Sequence, residues 1–103
     1  MDMLRFAGPL AALALCAGAA HAQAPDPLQV RSWAGACATC HGTNGAAQPG
    51  MIPLAGQASA EIVRKLQDFK SGRQPATVMH QLAKGYTDEQ IAAIAAWFAA
   101  QKK

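Results

Sequence analysis

The sequence predicts an all-α domain of four or so helices with one long loop, and three observations carry that prediction. Apolar residues recur at helical spacing in separate stretches, each bounded by residues that start or stop helices. No stretch of the chain reads as a β-strand. Residues 42–59, GTNGAAQPGMIPLAGQAS, are dense in Gly, Pro, Asn and Ser, which punctuate turns and follow neither period.

The elements follow in order. Residues 1–22, MDMLRFAGPLAALALCAGAAHA, have the grammar of a cleaved export signal: Arg5 near the start, an apolar run from Phe6 to Ala20, and Ala20-His21-Ala22 with small residues where a peptidase reads them. The run is short for the roughly 20 apolar residues of a membrane span, and the bulky Leu15 before Cys16 argues against a lipid-modified cysteine. The expected mature domain is therefore residues 23–103, in the periplasm, with no stable membrane insertion after cleavage.

Asp26 followed by Pro27 is a helix start, because the Asp side chain can cap free amides and the missing N–H of Pro is harmless in the first turn. Val30, Trp33 and Cys37 then recur at helical spacing, which predicts a helix from Pro27 to Cys40. After the loop, Ser59 is the expected N-cap of a helix through Ser71, with Ile62, Leu66 and Phe69 on one face and Gly72 as its stop. A shorter helix is expected over Ala76 to Lys84, ended by Gly85. Thr87 with Gln90 forms a capping box, and Ile91, Ile94, Ala95 and Phe98 mark an amphipathic helix to about Gln101.

A chain of 103 residues allows one small domain, and its larger apolar side chains are few although 51 % of the residues are hydrophobic. Domains of this size lean on disulfides, a metal or a bound group. Once the signal is removed only Cys37 and Cys40 remain, so there is no disulfide framework and something else must fill the interior. The mature charge, eight basic against five acidic residues, is too slight to argue for nucleic acid. Lys65, Lys70, Arg73 and Lys84 read as solvated faces or as a docking rim.

The chemistry concentrates at Cys37-Ala38-Thr39-Cys40-His41. C-x-x-C-H is the attachment signature of c-type haem. One helical turn presents both sulfurs on one side, so each can add to a haem vinyl group while the adjacent imidazole lies against the iron. Other readings fit less well. A thioredoxin-like pair opens a helix after a strand, and no strand precedes Trp33. A structural zinc site needs four ligands, and His80 is the lone remaining candidate, without finger-like spacing. A Cys37–Cys40 disulfide would close a tiny loop and stabilise little.

The iron then needs a second axial ligand or an open site, and the mature chain offers Met51, Met79 and His80. Met51 lies ten residues after His41, a short path around the haem edge; Met79 lies 38 residues on and can reach the far side. His80 competes, because a bis-His site is equally simple and adjacent residues cannot both face the iron. A thioether ligand raises the potential relative to a second imidazole.

Cys37-Ala38-Thr39-Cys40-His41-Gly42, the Gly-rich loop and a Met before the terminal helix resemble class I c-type cytochromes. The stretch FKSGRQPATVMHQLAKGYTDEQIAAIAAWFAAQ, Phe69 to Gln101, is similar more narrowly to the cytochrome subunits of flavocytochrome c sulfide dehydrogenases. The resemblance implies a class I fold around one covalent haem c, with Cys37 and Cys40 as attachment points and His41 and Met79 as axial ligands. It implies that the helix carrying Trp33 crosses the last helix near Trp97, although Gln29 stands where many members have a small Gly and Ala34 is the available substitute. It also implies a loop proline whose carbonyl accepts the imidazole N–H; Pro53, twelve residues past His41, is the candidate, or else simply a turn proline.

The function implied is electron transfer, with no catalysis by the chain alone. Electrons would come from an FAD-containing flavoprotein subunit that oxidises sulfide and leave to a cytochrome or oxidase. A free-standing monohaem carrier is the alternative within that class. A ligand-binding or catalytic haem protein with a displaceable sixth ligand is the alternative outside it.

Overall fold

The computed structural model describes residues 24–103. The expected signal at 1–22 lies outside the described residues, as does the start of the domain expected over 23–103. Four helices follow in order: α1 (Pro27–His41), α2 (Ser59–Ser71), α3 (Met79–Lys84) and α4 (Asp88–Ala99), with a 3-10 turn at Thr43–Gly45. Among the described residues there is no strand, so the fold is all-α as the periodicity predicts. No described helix is long and apolar enough to cross a membrane.

The helix ends follow local chemistry. Asp26 accepts from the Leu28 amide at 2.7 Å and starts α1 ahead of Pro27. The helix continues one residue beyond the expected Cys40, so that His41 is its last residue. α2 begins without a side-chain cap: Ala58 is the N-cap, and its carbonyl accepts from Glu61 and Ile62, which makes Ser59 the first helical residue rather than the cap. Gly72, at φ 81°, ends α2 in the left-handed conformation. α3 starts three residues later than expected, at Met79, because Pro75 and Ala76 are irregular, Thr77 and Val78 form a bend, and the first carbonyl to close helical bonds is that of Val78. Thr87 and Gln90 form the reciprocal capping box of α4. α4 ends at Ala99, short of Gln101.

The core sits where α4 meets α1 and α2. Ala34, Ile62, Ile94, Ala95 and Phe98 form one buried cluster, with Trp33 and Trp97 packed at its margin. Ala34 and Ala95 have no exposed surface, so small residues let α1 lie close to α4, while Gln29 stays in solvent. Trp97 meets Phe98 edge to face, ring centroids 5.0 Å apart. On the outside, a polar clasp joins α2 to the start of α4. Gln67 donates to Asp88 at 2.8 Å, and Lys70 donates to the Tyr86 carbonyl at 2.7 Å and to Asp88 at 3.3 Å. The apolar cluster supplies the energy, since exposed ion pairs contribute little.

Gly45 ties the loop to this core. It is buried at φ 80°, and a Cβ there would come within 2.8 Å of the Phe98 ring and 2.7 Å of the Ala55 amide nitrogen. Its carbonyl accepts from Leu54 at 2.9 Å and Ala55 at 3.2 Å, and the Gly56 amide donates to the Phe98 carbonyl at 3.0 Å.

Candidate functional site

The C-terminal turn of α1 gathers the cysteines and the imidazole. Cys37 and Cys40 are three residues apart on the helix and so share a face. Cys37 is half-buried, Cys40 is exposed, and the two are not bonded to each other. Burial pushes the Cys37 thiol above its ordinary pKa, with a backbone hydrogen bond acting the other way. The Tyr86 hydroxyl is raised as well, first by burial and then by the nearby Cys37. Directly after His41 the chain turns away at Gly42, φ 87°, where a Cβ would collide with the Ala46 carbonyl.

His41 is fixed by one contact. Its Nδ1 lies 2.6 Å from the Ile52 carbonyl oxygen. A carbonyl can only accept, so Nδ1 carries the proton and Nε2 keeps its lone pair for a metal. The expectation that Pro53 supplies this acceptor is therefore corrected by one residue. The Pro53 carbonyl is taken by the side-chain amide of Gln57. Pro53 still shapes the contact, because a residue before proline is held extended.

Beside these groups lies a cavity of about 620 Å³, within the usual span of roughly 300–1,000 Å³ for ligand pockets. Cys37, Cys40 and His41 lie along it; Ile62, Ile94 and Phe98 reach it from the core, and Val78, Met79 and Leu82 reach it from α3 and the residue before it. Four of the large apolar side chains left exposed, Met51 (43 %), Ile52 (62 %), Val78 (55 %) and Leu82 (47 %), all line this cavity. Such a patch marks a ligand surface. Two thiols on one helical face, an imidazole with a free Nε2 and an apolar wall fit a covalent haem.

The candidate axial ligands divide unequally. Met79 and Met51 line the cavity and His80 does not. The His80 Nδ1 is buried without a hydrogen-bond partner. Among the described residues no three His, Cys, Asp or Glu side chains cluster as a metal site of the zinc type would need. Of the basic residues read as solvated faces or a docking rim, Lys70 is bound into the α2–α4 clasp, and Arg73 lies 3.9 Å from Asp68. The Ile52 acceptor and the Gln57 contact escape sequence reasoning, because a loop without periodicity does not reveal which carbonyl faces inward.

The family described as cytochrome c oxidase, cbb3-type, subunit III matches residues 30–98. The cytochrome subunit of sulfide dehydrogenase from Chlorobaculum tepidum is 44 % identical over 62 residues, 60 % of this chain and 56 % of that protein. Cytochrome c4 of Pseudomonas aeruginosa is 36 % identical over 86 residues, 82 % of this chain and 42 % of its own length. The chain thus spans about half the length of these two relatives. It covers more of cytochrome c-554(548) from Halomonas halodenitrificans, 87 %, at 33 % identity over 72 residues. The matched region takes in the C-x-x-C-H helix, the loop and the three later helices. The chain accordingly belongs to that family and is a class I c-type cytochrome, an electron-transfer protein with covalently bound haem c.

Proposed function

We propose that this chain is an exported, periplasmic cytochrome c that takes electrons from a flavoprotein dehydrogenase, with Cys37 and Cys40 as thioether attachment points and His41 and Met79 as axial ligands. The observation that carries the site reading is the single apolar cavity reached both by the C-x-x-C-H turn and by Met79. When bound, the haem supplies one-electron exchange at its iron. The chain's own residues do the rest. Both sulfurs hold the group on the end of α1. The Ile52 carbonyl keeps the His41 proton on Nδ1, leaving Nε2 as donor and raising its basicity. Met79 contributes a thioether from the start of α3, favouring the reduced state relative to a second imidazole. Val78, Leu82, Met51 and Ile52 exclude water. Held by both His41 and Met79, the haem would offer electron exchange and no place for a substrate, and on this reading the chain alone would carry electrons without catalysing a reaction.

Sulfide as the upstream reductant and an FAD-bearing partner rest on the likeness to the Chlorobaculum tepidum subunit; the downstream acceptor would be a cytochrome or oxidase. Copurification from the native host under mild conditions tests this, and a yellow flavin-bearing companion is the expected result. A free-standing monohaem carrier is the second reading, favoured by the 87 % coverage of cytochrome c-554(548); a red protein purified alone supports it. Rapid carbon monoxide binding by the fresh ferrous protein would replace both readings with a ligand-binding haem protein.

A further inference from the structure

The two halves of the loop are anchored very differently. Residues 54–57 are pinned: Leu54 and Ala55 donate to Gly45, Gly56 donates to the Phe98 carbonyl at 3.0 Å, and Gln57 donates to Leu54 at 3.2 Å. Residues 46–52 have far less support. Ala46 closes the 3-10 turn onto Thr43, and Met51 donates to Gln48 at 3.1 Å. Met51, Ile52 and Pro53 are all exposed. Yet this loosely held half carries the Ile52 carbonyl, the acceptor that orients His41.

One side chain bridges the two halves. Gln57 rises from the pinned half and its Nε2 donates to the Pro53 carbonyl, one peptide unit beyond the Ile52 acceptor. Its Oε1 accepts from Lys65 Nζ at 3.4 Å, which ties the strut to α2. A glutamine suits this place because it donates with one end and accepts with the other.

We propose that Gln57 is a positioning residue for the haem, holding the Ile52–Pro53 segment so that the Ile52 carbonyl stays on His41 Nδ1. The inference rests on the reading of His41 as an axial ligand. Loss of the strut leaves the acceptor mobile. The Nδ1–H bond then opens more often, the imidazole becomes a weaker donor, and the ferric state loses more than the ferrous. Lys65 acts through Gln57, so its removal has the same sign and a smaller size.

The test uses the full haem-loaded protein and two readouts, the solvent exchange rate of the His41 Nδ1 proton by NMR and the midpoint potential. For Gln57→Leu the expected result is exchange about fivefold faster, as a typical lost hydrogen bond gives, with the potential moved upward. Gln57→Glu keeps an acceptor for Lys65 but, ionised, cannot donate to Pro53, so it should match the leucine variant. Lys65→Met should show a smaller acceleration. Wild-type exchange and potential in haem-loaded Gln57→Leu would overturn the proposal. Should that variant fail to mature, unchanged exchange in Gln57→Glu overturns it equally. A wild-type protein whose His41 ring shows no iron-shifted signal overturns the ligand reading itself, and this inference with it.

Discussion

The two flanks of the cavity are built by opposite means. On the α2–α4 flank the protein completes itself: Ile62, Ile94 and Phe98 are buried by other side chains, Thr87 and Gln90 cap α4, and Gln67 and Lys70 clasp its first turn. On the flank made by the loop and α3, Met51, Ile52, Val78 and Leu82 remain uncovered, and α3 is a single six-residue helix without a side-chain cap. Helices that short do not hold themselves in water. One flank is covered by the chain's own side chains, and the other leaves its large apolar side chains open.

Removing the haem should break the comparison most visibly. Protein expressed without haem attachment is expected to keep amide protection in α2 and α4 and to lose it over residues 46–53 and 76–84, measured by hydrogen exchange. Protection lost uniformly would mean that both flanks depend on the cofactor. Phe98→Ala attacks the self-sufficient flank and should cost about 3–5 kcal/mol by denaturant unfolding of the haem-loaded protein. Met79→Ala attacks the other flank and should turn the iron high-spin in the visible spectrum, with a smaller loss of stability. His80→Ala should leave it low-spin, since His80 does not line the cavity that Met79 lines; a high-spin His80→Ala protein reverses the assignment. Thr87→Ala removes half of the capping box and should cost about 1 kcal/mol.

The smallest effect concerns the clasp. The Gln67 hydrogen bond, and then Lys70, hold the Asp88 carboxyl below its ordinary pKa. A carboxylate lowered by folding stabilises above its unfolded value, and that contribution disappears as pH falls through its folded value. Asp88 is solvent-exposed, so the gain is screened. Wild type should unfold slightly later than Asp88→Asn at neutral pH, and the difference should close in acid; a constant difference would assign it to packing.

The self-sufficient flank is also the legible one. Ile91, Ile94, Ala95 and Phe98 repeat at helical spacing, and Thr87 with Gln90 and Gly72 as a stop are local signals that nothing in the tertiary structure overrides. Of the site, the C-x-x-C-H turn is legible because one helical turn fixes three groups at once, whereas Met79 and His80 are neighbours in sequence and it takes the structure to show that Met79 lines the cavity and His80 does not. The Ile52 carbonyl is not legible, since one residue of register in a loop changes which oxygen faces the imidazole and no side chain records it. The late start of α3 is hidden for a related reason: Pro75 permits a helix after it without requiring one, and no local signal marks the bend at Thr77 and Val78.

The buried glycine at position 45 has a consequence for how the molecule is made. The turn that follows the attachment motif rests against Phe98, 53 positions further along the chain. A nascent polypeptide therefore exposes its thiols long before the surface beneath them exists. The pocket has no floor until the segment carrying Phe98 has been added and has folded back onto the turn.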